Sequence, residues 1–197
     1  MSNTTADHAV SMEISAADGV EVMRGPETLV YGSNTIAGII NIITLFKNQK
    51  KLSSTNYKLL FGHESSNQSN LIGSDINIPL KNYQFSMSFN DRSANNQSSP
   101  VGILENTALD KNDLTLGLTK FGEKDLISVE FKNFTMDYGI PGSPEGHING
   151  VDLALKSQTQ KLKYHSDVNF LSFNILDLEQ GYVRYGHKEF VKGSDYA

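Results

Sequence analysis

From about Ser53 onward the chain alternates. In YQFSMSFN, Tyr83, Phe85, Met87 and Phe89 fall on one face and Gln84, Ser86, Ser88 and Asn90 on the other. That is the period of two that a pleated strand imposes. In LTLGLT, Leu114, Leu116 and Leu118 oppose Thr115, Gly117 and Thr119, and in ISVEFK, Ile127, Val129 and Phe131 oppose Ser128, Glu130 and Lys132. Tyr57, Leu59 and Phe61 share a face, as do Ile72, Ile76, Ile78 and Leu80, with Ser74 interrupting. Near the end Leu171, Phe173 and Ile175 alternate with Ser172 and Asn174, and the phase slips at Leu176, as at a bulge. Val151–Tyr164 alternates only at its two ends. The pattern predicts about seven strands, over residues 54–63, 69–79, 83–92, 112–121, 125–137, 150–164 and 170–187.

Several of these reach ten residues or more, against a mean of about five or six in soluble proteins. Long strands with one apolar and one polar face suit a tilted membrane barrel. The connections alternate too. PLKN (79–82) and GEKD (122–125) are short, whereas 93–112 and YGIPGSPEGHING (138–150) are long and rich in Gly, Pro and Asn. Membrane barrels have short turns at one end and longer loops at the other. The connection near Glu64–Gln68 is the exception, short where a long loop is expected. A soluble β-sandwich also alternates, and stays open as the alternative.

The first 45 residues have another character. GVEVMRGPETLVYGSNTIAGIINIIT reads as strand, break, strand. Glu21-Val22-Met23 suits a strand, and Gly25-Pro26 ends it, because Pro has no N–H for a ladder. PETLVYG then suits a short helical turn with Pro26 first. Gly32 and Gly38 permit tight turns, and Ile39–Ile43 reads as a buried strand. The basic stretch LFKNQKKLSS follows as a linker.

Composition narrows the classes. Apolar residues are 38 % and the net charge is −5. An acidic chain with scattered charges has no basic patch to neutralise phosphates, which argues against a nucleic-acid partner. With no cysteine there is no disulfide framework and no thiolate metal site. MSNTTADHAV lacks the features of a signal peptide, and no apolar run reaches the ~18–20 residues of a membrane helix. No nucleophile elbow, P-loop or HExxH is present, so no enzyme is expected. The carboxylate pairs Asp110/Asp113 and Asp177/Glu179 read as solvated or lumen-facing charges.

The segment VEVMRGPETLVYGSNTIAGIINIIT resembles the end of the plug domain of TonB-dependent outer-membrane receptors. The resemblance is carried by Val20, Glu21, Val22, Arg24, Gly25, Pro26, Tyr31, Gly32, Gly38, Ile39, Ile40, Asn41, Ile42, Ile43 and Thr44, with Ala37 where the family often has Gly. It implies a mostly β fold: a partial plug domain over 1–46, followed over 53–197 by about seven antiparallel strands of an incomplete transmembrane β-barrel. Family barrels have about twenty-two strands, so the chain is expected to be a piece of a receptor lacking a signal peptide, a TonB box, most of a plug and further strands. Glu21 and Arg24 would lock plug to barrel wall, with Gly25, Pro26, Tyr31, Gly32 and Asn41 structural. A truncated product without transport activity is the other open expectation.

The implied function is uptake of a scarce nutrient across the bacterial outer membrane, with outer-membrane lipid around the barrel. A TonB-type energy-coupling protein would engage the missing N-terminal region. The DHA of ADHAV and the GIPG of the 138–150 loop resemble zinc-uptake receptors, in which the plug-loop acidic residue and histidine help bind metal. These map onto Asp7 and His8, and the loop adds Glu145 and His147 as candidate ligands. Imidazole and carboxylate suit zinc. The 138–150 loop is shorter and less His-rich than in zinc importers, so a siderophore complex or another metal stays open as the transported ligand, and no resident cofactor is implied. His63 and His187 are expected at solvated strand ends, and His165 in a turn.

Overall fold

The computed structural model describes residues 19–31, 38–43, 51–144, 147–170 and 172–191. The chain is mostly β, with no α-helix among the described residues. β1 (Gly19–Met23) and β2 (Ile39–Ile43) form a small antiparallel sheet. Between them a 3-10 turn over Pro26–Tyr31 starts at the proline, as expected. Gly25 takes φ 83, and its carbonyl accepts from both the backbone N and Oγ1 of Thr28. Ile40 is exposed rather than buried, as are Val20 and Val22 across the ladder. In the five-residue β2, Ile40 therefore lies on a face that no described layer covers, while Ile39 and Asn41 are half-buried.

The main sheet has seven strands where the alternation places them: β3 (Asn56–Glu64), β4 (Ser69–Leu80), β5 (Tyr83–Ala94), β8 (Leu109–Phe121), β9 (Asp125–Ile140), β10 (Val151–Phe170) and β11 (Phe173–Val191). Each pairs antiparallel with its sequence neighbour in that series, leaving β3 and β11 at the edges. A short hairpin, β6 (Gln97–Ser99) and β7 (Gly102–Leu104), stands in the 95–108 connection. Strands of three residues, one of them Gln-Ser-Ser, give no readable alternation.

Two expectations about the last hairpin are corrected. Leu176 pairs with Ser166 in an unbroken ladder, and the irregularity lies between Asp167 and Phe170, beside the turn. Phe173, Ile175, Leu176 and Leu178 are all exposed, so the apparent slip reflects apolar residues on both faces at the hairpin tip. β10 also runs through His165, which is a strand residue rather than a turn residue.

Over much of the sheet the burial is inverted relative to a soluble sheet. Asp75, Asn77, Gln84, Ser86, Ser88, Asn90, Asp113, Thr115 and Ser128 are buried. On the opposite face, Phe61 (71 % exposed), Ile72, Leu118, Ile127, Val129 (50 %) and Phe131 are exposed. The polar face, here the inner face, satisfies its groups internally. Ser86 Oγ donates to Asn77 Oδ1 at 2.6 Å, and Ser88 Oγ to Asp75 Oδ1 at 2.6 Å. Thr119 and Ser128 share a 2.7 Å hydrogen bond, and Lys132 Nζ lies 2.7 Å from Asp113 Oδ2. Buried polar groups persist only with such partners. Gly73 opens room for this face, since a Cβ there would stand 2.6 Å from Asn90 Oδ1.

Toward the long connections the polarity reverses without a break in the ladders. On β9 the outward residues change from Ile127, Val129 and Phe131 to Asn133, Thr135 and Asp137. The inner ones change from Ser128, Glu130 and Lys132 to Phe134, Met136 and Tyr138. β9 keeps continuous register with β8 and with β10 through the switch. Phe134, Met136 and Leu155 are buried together, with Leu109 and Tyr138 packed on them.

From β3 to β10 the last large outward apolar residue of each strand traces the edge of this band, whereas on β11 Tyr182 and Phe190 face outward above that line. Phe61 and Ile72 lie level in the register; Phe89 and Leu114 lie one outward position lower, Phe131 two and Leu162 three. From β3 to β10 the edge thus descends six residues over five strand-to-strand steps. With ~3.3 Å per residue and ~4.8 Å between strands, the strands cross the band at roughly 40°. Barrel strands in membranes tilt by ~35–45°.

Candidate functional site

The long connections and the ends of β8, β9 and β10 meet at one end of the sheet. Asn106 fastens them. Its Nδ2 donates to Ile140 O at 2.7 Å and to Val151 O at 3.1 Å, joining the 95–108 segment to the end of β9 and the start of β10. Asn106 takes φ 60, a left-handed conformation that Asn tolerates better than most residues. Gly139 lies so close that an added Cβ would stand 2.6 Å from the Asn106 carbonyl, and Gly150 (φ 82) is crowded by Ile140 O and by Asn106 itself. Asn96 braces the segment from within: its Oδ1 accepts from Thr107 N and Ala108 N, and its Nδ2 donates to Glu105 Oε2 at 2.8 Å.

This fastening shapes a cleft of about 560 Å³ lined by Glu105, Asp110, Asp137 and Asp152, with Asn96, Asn106 and Tyr138 among the other walls and no Lys or Arg. Four carboxylates and no Lys or Arg in the lining give a field that favours positive charge over anions. A smaller cavity of about 210 Å³ lies alongside, bounded by His147, Glu189, Pro141 and Leu153.

Of the sequence-predicted ligands, Asp7, His8 and Glu145 lie outside the described residues, as does Gly32. His147 is exposed, and its backbone carbonyl accepts from Gly150 N at 2.9 Å and Ser143 N at 3.2 Å. The structure brings it to the same cavity as Glu189, a neighbour that lies 42 positions away in sequence and that no local pattern suggested. Among the described residues no group of three or more His, Asp and Glu could hold a metal ion.

Three histidines depart from expectation or refine it. His187 faces inward, with Nε2 at 3.3 Å from Glu189 Oε1 and the side chain 22 % exposed, so it is not a solvated strand-end residue. The 19-residue length of β11 carries it into the sheet's interior register. His165 Nδ1 lies 2.7 Å from Asp177 Oδ1, its cross-strand partner. His63 is exposed as expected, with Nδ1 at 3.0 Å from Asn70 Oδ1.

In the small sheet, Asn41 Nδ2 donates to Glu21 Oε2 at 3.0 Å from the directly opposite position. Two residues of the RGP-containing segment are thus partners of one another, and Arg24 beside them is exposed. Asp113, half of a carboxylate pair read as solvated or lumen-facing, faces inward and is buried against Lys132, while Asp110 is exposed at the cleft. No helix among the described residues is long and apolar enough to cross a membrane, which does not bear on crossing by strands. No protein-family model matches the chain.

Proposed function

We propose that the chain is part of a TonB-dependent outer-membrane receptor, the end of a plug followed by the first strands of its barrel, that takes up a scarce cationic nutrient. The observation that carries the membrane part is the polarity switch on β9. Ile127, Val129 and Phe131 point outward below it and Phe134 and Met136 point inward above it, in one continuous register. A strand that leaves an apolar solvent and enters water needs this change, since exposed apolar area is favourable only where water is absent. The roughly 40° crossing of strands and band supports the same reading, as do the long connections gathered at one end. The plug assignment rests on the segment from Val20 to Thr44 and on the strand–turn–strand geometry of its described part.

Within this reading the connected loops lie outside the cell and the acidic cleft concentrates cations at the mouth. That favours zinc or another metal over an anionic chelate. Asp7 and His8 are the proposed metal contacts, with Glu145 and His147 from the loop. Glu21 and Arg24 hold plug to wall, Glu21 through a position already fixed by Asn41. Import would draw on a TonB-type partner acting on the plug, and the role is transport rather than catalysis.

Reconstitution into lipid vesicles tests the proposal. Insertion is expected, seen as resistance to urea extraction and as protection of the band from protease. A chain that stays soluble without detergent and extracts with urea is a soluble β protein, and the receptor reading fails. Zinc binding is then compared between the chain and its Asp7→Ala/His8→Ala variant in the inserted state. Unchanged affinity removes those two residues from the cargo site.

A further inference from the structure

We propose that Lys156, Arg184 and Lys188, on the outward face of β10 and β11, form a site for the phosphate of an anionic lipid headgroup, an inference that rests on the membrane reading above. Their placement follows from the register. Lys156 stands opposite Gly186, Arg184 opposite Gln158 and Lys188 opposite Ala154. Lys156 is therefore the diagonal neighbour of both other cations, about 7–8 Å away across the ladder. All three are exposed, and none makes an ion pair among the described residues. At Gly186 an added Cβ would meet nothing within 4 Å, so the triad surrounds an open slot rather than a packed surface.

The slot lies where a headgroup would be. Arg184 is the next outward position above Tyr182, and Tyr182 lies level with Phe131 in the register. Tyr at the edge of an apolar band marks the membrane–water boundary. Lys156 and Lys188 stand one and two outward positions beyond Arg184, toward the long connections. Three cations around a small gap suit a phosphate, which offers several strong acceptor oxygens to Arg and Lys together. The carboxylates facing the site are Asp137, across from Ala154, and Asp152, across from Phe190. They border the triad on its loop side only, so a headgroup reaching it from the membrane side meets the cations first.

The experiment uses the 197-residue chain, which has eight Tyr and no Trp, and reads quenching of its tyrosine fluorescence by brominated lipids in reconstituted vesicles. Brominated phosphatidic acid is compared with brominated phosphatidylcholine. The unaltered chain is expected to bind phosphatidic acid about tenfold more strongly. K156Q/R184Q/K188Q should bring the two lipids level while keeping full quenching by phosphatidylcholine, and K156R/R184K/K188R should retain the preference. Asp137→Asn should strengthen it. Quenching by neither lipid overturns the membrane reading, and the site with it. Equal quenching by both in the unaltered chain, or a preference that survives the triple Gln change, overturns the site alone. Suppression of the preference by inorganic phosphate beyond that of sodium chloride at equal ionic strength would assign the triad to free phosphate and overturn the lipid assignment.

Discussion

Two regions of one sheet obey opposite rules. From Ile127 to Lys132 on β9 the apolar side chains face out and Ser128, Glu130 and Lys132 face in; above Asn133, Phe134 and Met136 face in while Thr135 and Asp137 face out. Backbone geometry is the same in both regions, since β8 and β10 pair with β9 without a slip. Alternation itself is therefore a property of the pleat, and the choice of which phase is apolar is set by the surroundings of each face. The upper region is organised as in a water-soluble sheet, with a core of Phe134, Met136 and Leu155. In the membrane reading proposed above, the outward face of the lower region is covered by lipid. The comparison is thus a statement about solvent.

The sharpest way to break it is to cut into the upper core. Phe134 is 1 % exposed and lies under Lys111 and Lys132, whose Nζ atoms stand 5.7 and 5.9 Å from its ring. Phe134→Ala should cost about 3–5 kcal/mol through lost transfer energy and the cavity left behind. Urea unfolding of the lipid-inserted chain, followed by circular dichroism, reads this. A loss below about 1 kcal/mol would mean that the cluster is no core and that the upper region is not organised as proposed.

A charge placed on the outward face separates the regions directly. Val129→Arg puts a guanidinium in the band and should cost about 2–4 kcal/mol in the inserted state, whereas Thr135→Arg, three outward positions away on the same strand, should cost about 0–1 kcal/mol. The same unfolding measurement applies. Equal costs would mean that both positions meet the same solvent, and the membrane reading would lose its main support.

How much of this was legible in the sequence follows from the same physics. The strands were legible because Tyr83–Phe89 and Leu114–Leu118 hold one phase for their whole length. On β9 the phase changes at Lys132-Asn133, and alternation alone cannot tell a slipped strand from a face whose polarity changes. The continuous register of the structure shows that the strand does not slip. Leu176 shows the converse, an apparent slip that the ladder does not have. β6 and β7, at three residues each, were too short to show an alternation. The cleft was invisible because Glu105, Asp110, Asp137 and Asp152 come from separate elements and converge only once β8, β9 and β10 are aligned. Asn106 carries no sequence signal beyond an ordinary loop asparagine. Its role comes from a left-handed φ and from two carbonyls more than thirty residues away. The likeness of Val20–Thr44 to a plug segment pointed to a family but not to the Glu21–Asn41 pairing, which needs the register of β1 on β2.

The finest test concerns how rigidly the upper region is held. Asn106→Gly keeps the left-handed backbone accessible and removes both side-chain hydrogen bonds, so it isolates their contribution at about 1–2 kcal/mol. Asn106→Ala removes the same bonds and adds the left-handed penalty of a Cβ, roughly 1–2 kcal/mol more. The loss should stay local, because the core of Phe134, Met136 and Leu155 is untouched. Amide exchange is the suitable measurement: the Gly139 and Gly150 amides, bonded to Ala108 O and His147 O, should exchange about tenfold faster in Asn106→Gly. The Val129 amide in the band should not change. If all three amides accelerate together, the two regions open as one unit, and the boundary at Asn133 divides solvents without dividing stability.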